Sequence, residues 1–291
     1  MIDKLFFRLY LLFKGKGYQH WRHYGRDYKV MAVGQQKVID YRGLRLSVST
    51  PDSFSVNEKK VIILCSGPSV KLLNTPIDQW GLPIIAMNGS HSLYQGQDRV
   101  LDYYVVSDIG FIRRQWQSFK RGLSVSKVVM LDHRALSEVL KIDPSALEGC
   151  EIVVFNQTKR PYGRPLTPSA DSPSDKFYCE GGSVFSLNPE LGYASSGTVA
   201  YLALQLVATM GFNDIRFLGL DLNGGDRFFS ESVVEKSQLH NDYDGLIEPD
   251  FKLAAKICEQ LNISLRNGSI NSRLPNNVIQ RYDGPLMLGL D

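Results

Sequence analysis

Short, uninterrupted apolar runs separated by helix-length segments dominate the chain from residue 60 onward. Val61-Ile62-Ile63-Leu64, Pro83-Ile84-Ile85-Ala86-Met87, Tyr103-Tyr104-Val105-Val106, Val128-Val129-Met130-Leu131 and Ile152-Val153-Val154-Phe155 each read as a buried strand. Ile215-Arg216-Phe217-Leu218-Gly219 and Ile263-Ser264-Leu265 extend the series. Helical spacing between the runs is clearest over 198–210 and 249–261. Continuous apolar strands alternating with helices imply a parallel sheet covered on both faces. The expected fold is therefore α/β and Rossmann-like, a mostly parallel sheet with helices on both faces, over residues 59–291. Residues 33–58 carry a weaker pattern, read as a short β extension.

The first 32 residues follow a different rule. Leu5, Phe6, Leu9, Leu12 and Phe13 recur at the spacing of an amphipathic helix. The run is too short to span a bilayer, Arg8 interrupts it, and no small-residue cleavage site follows it. Seven basic side chains (Lys4, Arg8, Lys14, Lys16, Arg22, Arg26, Lys29) face two acids (Asp3, Asp27) in this segment. The whole chain of 291 residues has a net charge of +3, so a +5 leader precedes a −2 body. So small a total argues against nucleic-acid binding. Its location instead suggests an anionic membrane surface as the partner of residues 1–32. The alternative is a helix whose apolar face packs on the body of the protein.

Charged residues at 22% and aromatics at 11% exclude a disordered chain, a coiled coil and a collagen-like repeat. Cys65, Cys150, Cys179 and Cys258 form no CxxC pair and show no metal-ligand spacing. They read as reduced cysteines of a cytoplasmic protein, which residues 1–32 would hold on the inner face of a membrane. Two stretches break the periodicity. Residues 156–193 hold five of the thirteen prolines and are expected to form a loop or lid. Residues 222–246 follow the 215–219 strand and are expected to form an active-site loop. Both leave the fold where ligands bind in open α/β sheets, at the carboxyl ends of strands.

The candidate chemistry lies at strand ends. Cys65-Ser66-Gly67-Pro68-Ser69 follows the first core strand, where a small-residue turn brings backbone N–H groups toward an anion. It is neither a Walker loop nor a GxGxxG turn. Met87-Asn88-Gly89-Ser90 and Val106-Ser107-Asp108-Ile109-Gly110 end the next strands. Their Asn and Asp can bond ribose or base edges, or cap the following helix. Ala194-Ser195-Ser196-Gly197-Thr198 opens an apolar helix with Ser195 or Ser196 as the expected N-cap, and Gly219-Leu220-Asp221-Leu222-Asn223 closes a strand. Five such turns on one sheet edge suggest a nucleotide pocket. Asp242-Tyr243-Asp244 is a carboxylate pair of the kind that holds Mg²⁺ or Mn²⁺ against a diphosphate. A solvated loop is the competing reading.

In this order, Gly-Pro-Ser, a strand-end Asn, Ser-Ser-Gly and Gly-Leu-Asp resemble the bacterial sialyltransferase family that uses CMP-activated sugars. The related lipopolysaccharide-core proteins of Kdo-transferase-like type share the pattern. Ile270-Asn271-Ser272-Arg273-Leu274 stands near that family's Pro-Asn-Ser-Leu-like segment. The resemblance spans about residues 59–275. It implies a metal-free, cofactor-free inverting transfer from a CMP-sugar. Ser66, Gly67, Ser69, Asn88, Ser107, Asp108, Ser196, Gly197, Asp221, Asn223, Asn271 and Ser272 are then the expected donor-binding residues. His240 matches the family's general base, at a longer spacing from the helix near Asp250. The family's phosphate-binding tyrosines are replaced by Asn223 and Phe229, so Arg227, Arg273 or Tyr243 would supply the lost donors. Tyr193 stands where sialyltransferases have arginine. These departures suggest Kdo or another keto-acid sugar, transferred to a lipopolysaccharide core or oligosaccharide acceptor.

His240 suits the chemistry by itself, because a base near neutrality must take the acceptor hydroxyl's proton. Two other functions fit the sequence. One is a metal-dependent pyrophosphokinase or nucleotide-diphosphate-sugar transferase using Asp242 and Asp244. The other is a non-catalytic nucleotide-binding protein peripheral to the membrane.

Overall fold

A computed structural model of the chain describes residues 2–18, 27–34, 36–73, 75–94, 100–167, 175–224, 227–229, 239–282 and 285–288. Among the described residues, thirteen strands fall in three sheets. β1 (Tyr28–Val33), β2 (Gln36–Tyr41) and β3 (Leu44–Val48) form an antiparallel sheet. The main sheet is β4 (Lys60–Leu64), β5 (Ile84–Met87), β6 (Leu101–Val106), β7 (Ser126–Asp132), β8 (Glu151–Phe155), β11 (Asp214–Leu218), β12 (Ser264–Asn267) and β13 (Gln280–Arg281). A hairpin, β9 (Phe177–Glu180) with β10 (Ser183–Ser186), stands apart.

The main sheet has the order β13-β12-β11-β4-β5-β6-β7-β8, and every pairing in it is parallel. Strand alternation sends Val61 and Ile63 to one face and Ile62 and Leu64 to the other, all fully buried. The first face packs against the helices Val199–Met210 and Glu248–Gln260. The second packs against Ile109–Arg114, Trp116–Ser124 and His133–Ile142. This is the doubly covered parallel sheet expected from the apolar runs.

Three details differ from the sequence reading. The β extension starts at Tyr28, inside the segment assigned to the basic leader, and its third strand continues onto the edge of β8 through Ser49. Tyr28 is buried there, with its hydroxyl 2.8 Å from His133 Nδ1. The 156–193 stretch is not all loop, because it contains the β9–β10 hairpin. The helix opening at Val199 is capped by Thr198, whose side chain accepts from Ala200 N, and not by Ser195 or Ser196.

The leader itself contains α1, Ile2–Lys14. No helix among the described residues is long and apolar enough to cross a membrane.

Candidate active site

From β4 the chain steps outward through β5, β6 and β7 to β8, then returns to β11 on the other side of β4. The carboxyl ends of β4 and β11 therefore form a topological switch point, where successive turns diverge and leave a crevice. The pairing continues past the strands. Cys65 N donates to the Leu218 carbonyl at 2.8 Å, and Gly67 N to the Gly219 carbonyl at 3.0 Å. Asp221 closes the turn, with Oδ2 accepting from Ser69 N at 2.9 Å. A Cβ at position 67 would overlap the Asp221 carboxylate and stand 2.5 Å from the Gly219 oxygen, so glycine is required by close approach. The crevice opens into a cavity of about 560 Å³ along the carboxyl edge of the sheet.

Two side chains in this cavity hold acceptors that the fold leaves unused. Asp221 Oδ1 is buried and has no hydrogen-bond partner among the described residues. Asn88 Oδ1 is the same. Asn88 has a left-handed φ of 47°, which Asn tolerates better than most residues. Its carbonyl accepts from the buried Tyr104 hydroxyl at 2.8 Å. Buried unpaired acceptors are unfavourable unless a ligand or water satisfies them.

Ser66, Gly67, Asn88, Ser107, Asp108, Gly197, Asp221, Asn223 and Arg227 all line this one cavity. Other expected donor-binding residues are engaged internally. Ser69 donates its hydroxyl to Ser269 Oγ at 3.0 Å, and Ser196 is fully buried with its hydroxyl 3.5 Å from the Leu246 carbonyl. The Ser272 hydroxyl donates to the Leu220 carbonyl at 2.5 Å, and the Asn271 carbonyl accepts from Asn223 Nδ2 at 2.8 Å. These four brace the turns that carry the lining residues.

The expected catalytic residues gather at the rim. His240 lies on a short helix, Leu239–Asp242, beside Gly224, and is exposed. Its Nδ1 is 3.4 Å from Arg273 Nη1. A guanidinium only donates, so Nδ1 can take part in this contact only as the acceptor. Arg273 lies 3.8 Å over the Tyr243 ring and holds Asp244 through Nη2 at 3.0 and 3.1 Å. Tyr243 is buried, and its hydroxyl donates to the Arg273 carbonyl at 2.8 Å. Tyr243 thus supports Arg273. Asp244 is tied to that cation, while Asp242 packs on Gly197 at 3.2 Å from where its Cβ would lie. Among the described residues, no group of three or more His, Cys, Asp or Glu could hold a metal ion.

Three lining residues with polar or charged side chains were not singled out in the sequence: Arg114, Arg134 and Gln157. Arg134 stands in the first turn of the His133–Ile142 helix, where the helix dipole disfavours a cation. Its Nε is buried without a hydrogen-bond partner among the described residues. Behind it, Asp132 accepts from Ala135 N and from Gln157 Nε2, both at 2.6 Å. Burial raises the Asp132 pKa to about 6, against the lowering effect of the bond from Ala135 N and of the Arg134 and Arg160 charges. The available signal was Asp132-His133-Arg134 directly after the 128–131 run, another strand-end cluster.

No family model matches the sequence. Over 221 residues the chain is 26% identical to a probable 3-deoxy-manno-octulosonic acid transferase of Salmonella typhimurium, covering 69% of this chain and 79% of that relative. Among solved structures it is similar to the sialyltransferase CstII from Campylobacter jejuni in complex with CMP-3FNeuAc. That likeness has a TM-score of 0.44 at 12% identity, over 79% of this chain and 88% of that one. The monofunctional alpha-2,3-sialyltransferase Cst-I from Campylobacter jejuni gives 0.43 at 12% identity, over 81% of this chain and 82% of that one. At such scores the fold description rests on the strand order itself. By sequence, the chain is similar over most of its length to a Kdo-transferase-like protein, within the group that its motif order resembles.

Proposed function

We propose that the protein is a glycosyltransferase that moves a keto-acid sugar, of the Kdo or sialic-acid kind, from a CMP-activated donor to a lipopolysaccharide-core or oligosaccharide acceptor. The observation that carries this reading is the set of arginines in the cavity. A keto-acid nucleotide brings a carboxylate and a phosphodiester into one site, and this cavity gathers Arg114, Arg134 and Arg227 beside two acids, Asp108 and Asp221. Of these acids, Asp108 lies 3.9 Å from Arg114 Nη2. Arginine forks suit both groups. The unpartnered oxygens of Asn88 and Asp221 are acceptors for the ribose hydroxyls or the cytosine amine. The similarity to a probable 3-deoxy-manno-octulosonic acid transferase supports the same sugar class.

In this reading the acceptor hydroxyl oxygen attacks the anomeric carbon on the face opposite the phosphate. The bond from that carbon to the phosphate oxygen breaks, CMP departs with the electron pair, and His240 takes the hydroxyl proton. A base at the rim suits an acceptor arriving from outside. Arg227 faces the charge growing on the phosphate, as transition-state stabilisation requires. Calorimetric titration tests the donor class: CMP should give a binding heat, and a response to ATP or UDP without one to CMP overturns the proposal. His240→Ala should abolish turnover with CMP binding retained. Full turnover in that variant would remove His240 from the mechanism.

A further inference from the structure

We infer that α1 is a membrane-surface anchor that docks on anionic lipid through the face carrying Leu5, Leu9, Leu12 and Phe13. The inference is independent of the proposed chemistry. At 100° per residue these four side chains share one side of the helix. All are exposed, Leu12 and Phe13 by 79% and 88%. Phe7, Tyr10 and Leu11 occupy the opposite side and are half-buried. The helix is thus apolar on two sides, and only one of them is half-buried.

Charge points to the occupant. Arg8, Lys14 and Lys16 are exposed on or just after the helix, and the sequence has no acid between Lys4 and Arg26. Apolar residues flanked by cations match a bilayer whose headgroups are negative. Thirteen residues make a helix of roughly 20 Å, suited to lying in the interface and too short to span it.

The attachment of α1 also orients the molecule. Just past the helix, the Gly17 carbonyl accepts from Leu166 N at 2.9 Å. Leu166 belongs to the segment leaving β8, and Gln157 near the start of that segment lines the cavity. The docked helix therefore sets the β8 end of the cavity's edge beside the lipid surface.

Flotation of the full chain with vesicles tests the inference. The protein should float with phosphatidylglycerol–phosphatidylethanolamine vesicles and much less with phosphatidylcholine alone. Leu12→Glu combined with Phe13→Glu should lower the floating fraction at least about tenfold, with the circular-dichroism melting curve unchanged. A variant that floats like the parent, or a parent that does not float, overturns the inference. So does a parent that sediments as a dimer, stays with the unbound fraction and becomes monomeric in the double variant. A second copy of the chain would then cover this face.

Discussion

Asn88 does two separable things in one residue. Its backbone turns left-handed at the end of β5, and its side chain places an unused oxygen in the cavity. Asn88→Gly keeps the first and removes the second, because glycine adopts positive φ without a Cβ penalty. This variant should unfold within about 1 kcal/mol of the parent in urea and bind CMP at least about tenfold more weakly. Undiminished CMP binding would show that the Asn88 amide does not touch the donor. Asn88→Ala would be a poorer probe, since it adds backbone strain to the loss of the amide. The strand-end residue types were legible in the sequence because small and polar residues are unusual beside buried strands. Their individual duties were not. Ser196 and Ser272 look like ligands in a linear string, yet each hydroxyl satisfies a backbone carbonyl made available by a distant segment.

At the scale of elements, one polar residue organises the approach to the site. Gln205 sits in the apolar helix Val199–Met210 and is fully buried. Its Oε1 accepts from Ser186 N and Ala194 N, and its Nε2 donates to the Ala194 and Tyr201 carbonyls. One amide thereby joins β10, the helix and the strand-like segment leading to Gly197. Gln205→Leu would leave two N–H groups and the Ala194 carbonyl buried without partners. It should destabilise the protein by about 3 kcal/mol, measured by urea unfolding. A loss below about 0.5 kcal/mol would mean that water replaces the amide. Strand and helix positions were readable because burial on both faces writes continuous apolar runs. The β9–β10 hairpin was not, because its strands are four residues each and lie among turn formers. The cap at Thr198 was misread for a similar reason, since Ser195, Ser196 and Thr198 are interchangeable by composition and only geometry separates them.

For the whole molecule, two buried titratable groups act in opposite directions. Burial first, and then the Arg121 charge, lower the His91 pKa to about 4. Its contribution is present above the unfolded value near 6.5 and is lost as pH falls toward 4. Asp132 has the reverse sign. Burial raises it to about 6, so the native state binds a proton that the unfolded chain has already released. That contribution is complete below pH 3.8 and is lost as pH rises through 6. Between 6 and 4 the two partly cancel. Asp132→Asn removes one of them while keeping an acceptor for Ala135 N. Its stability relative to the parent should be greatest near pH 7 and shrink as the pH falls toward 4, followed by urea unfolding across that range. A difference independent of pH would show that Asp132 is ionised throughout.

The contact between Gly17 and Leu166 has a kinetic consequence. It ties the helix proposed to dock on lipid to the segment that begins near the cavity-lining Gln157. On that proposal, an enzyme fixed in this attitude would search for its acceptor in two dimensions. Its rate then follows the number of acceptor molecules per unit of membrane area, and diluting them with inert lipid slows turnover even when their bulk concentration is constant.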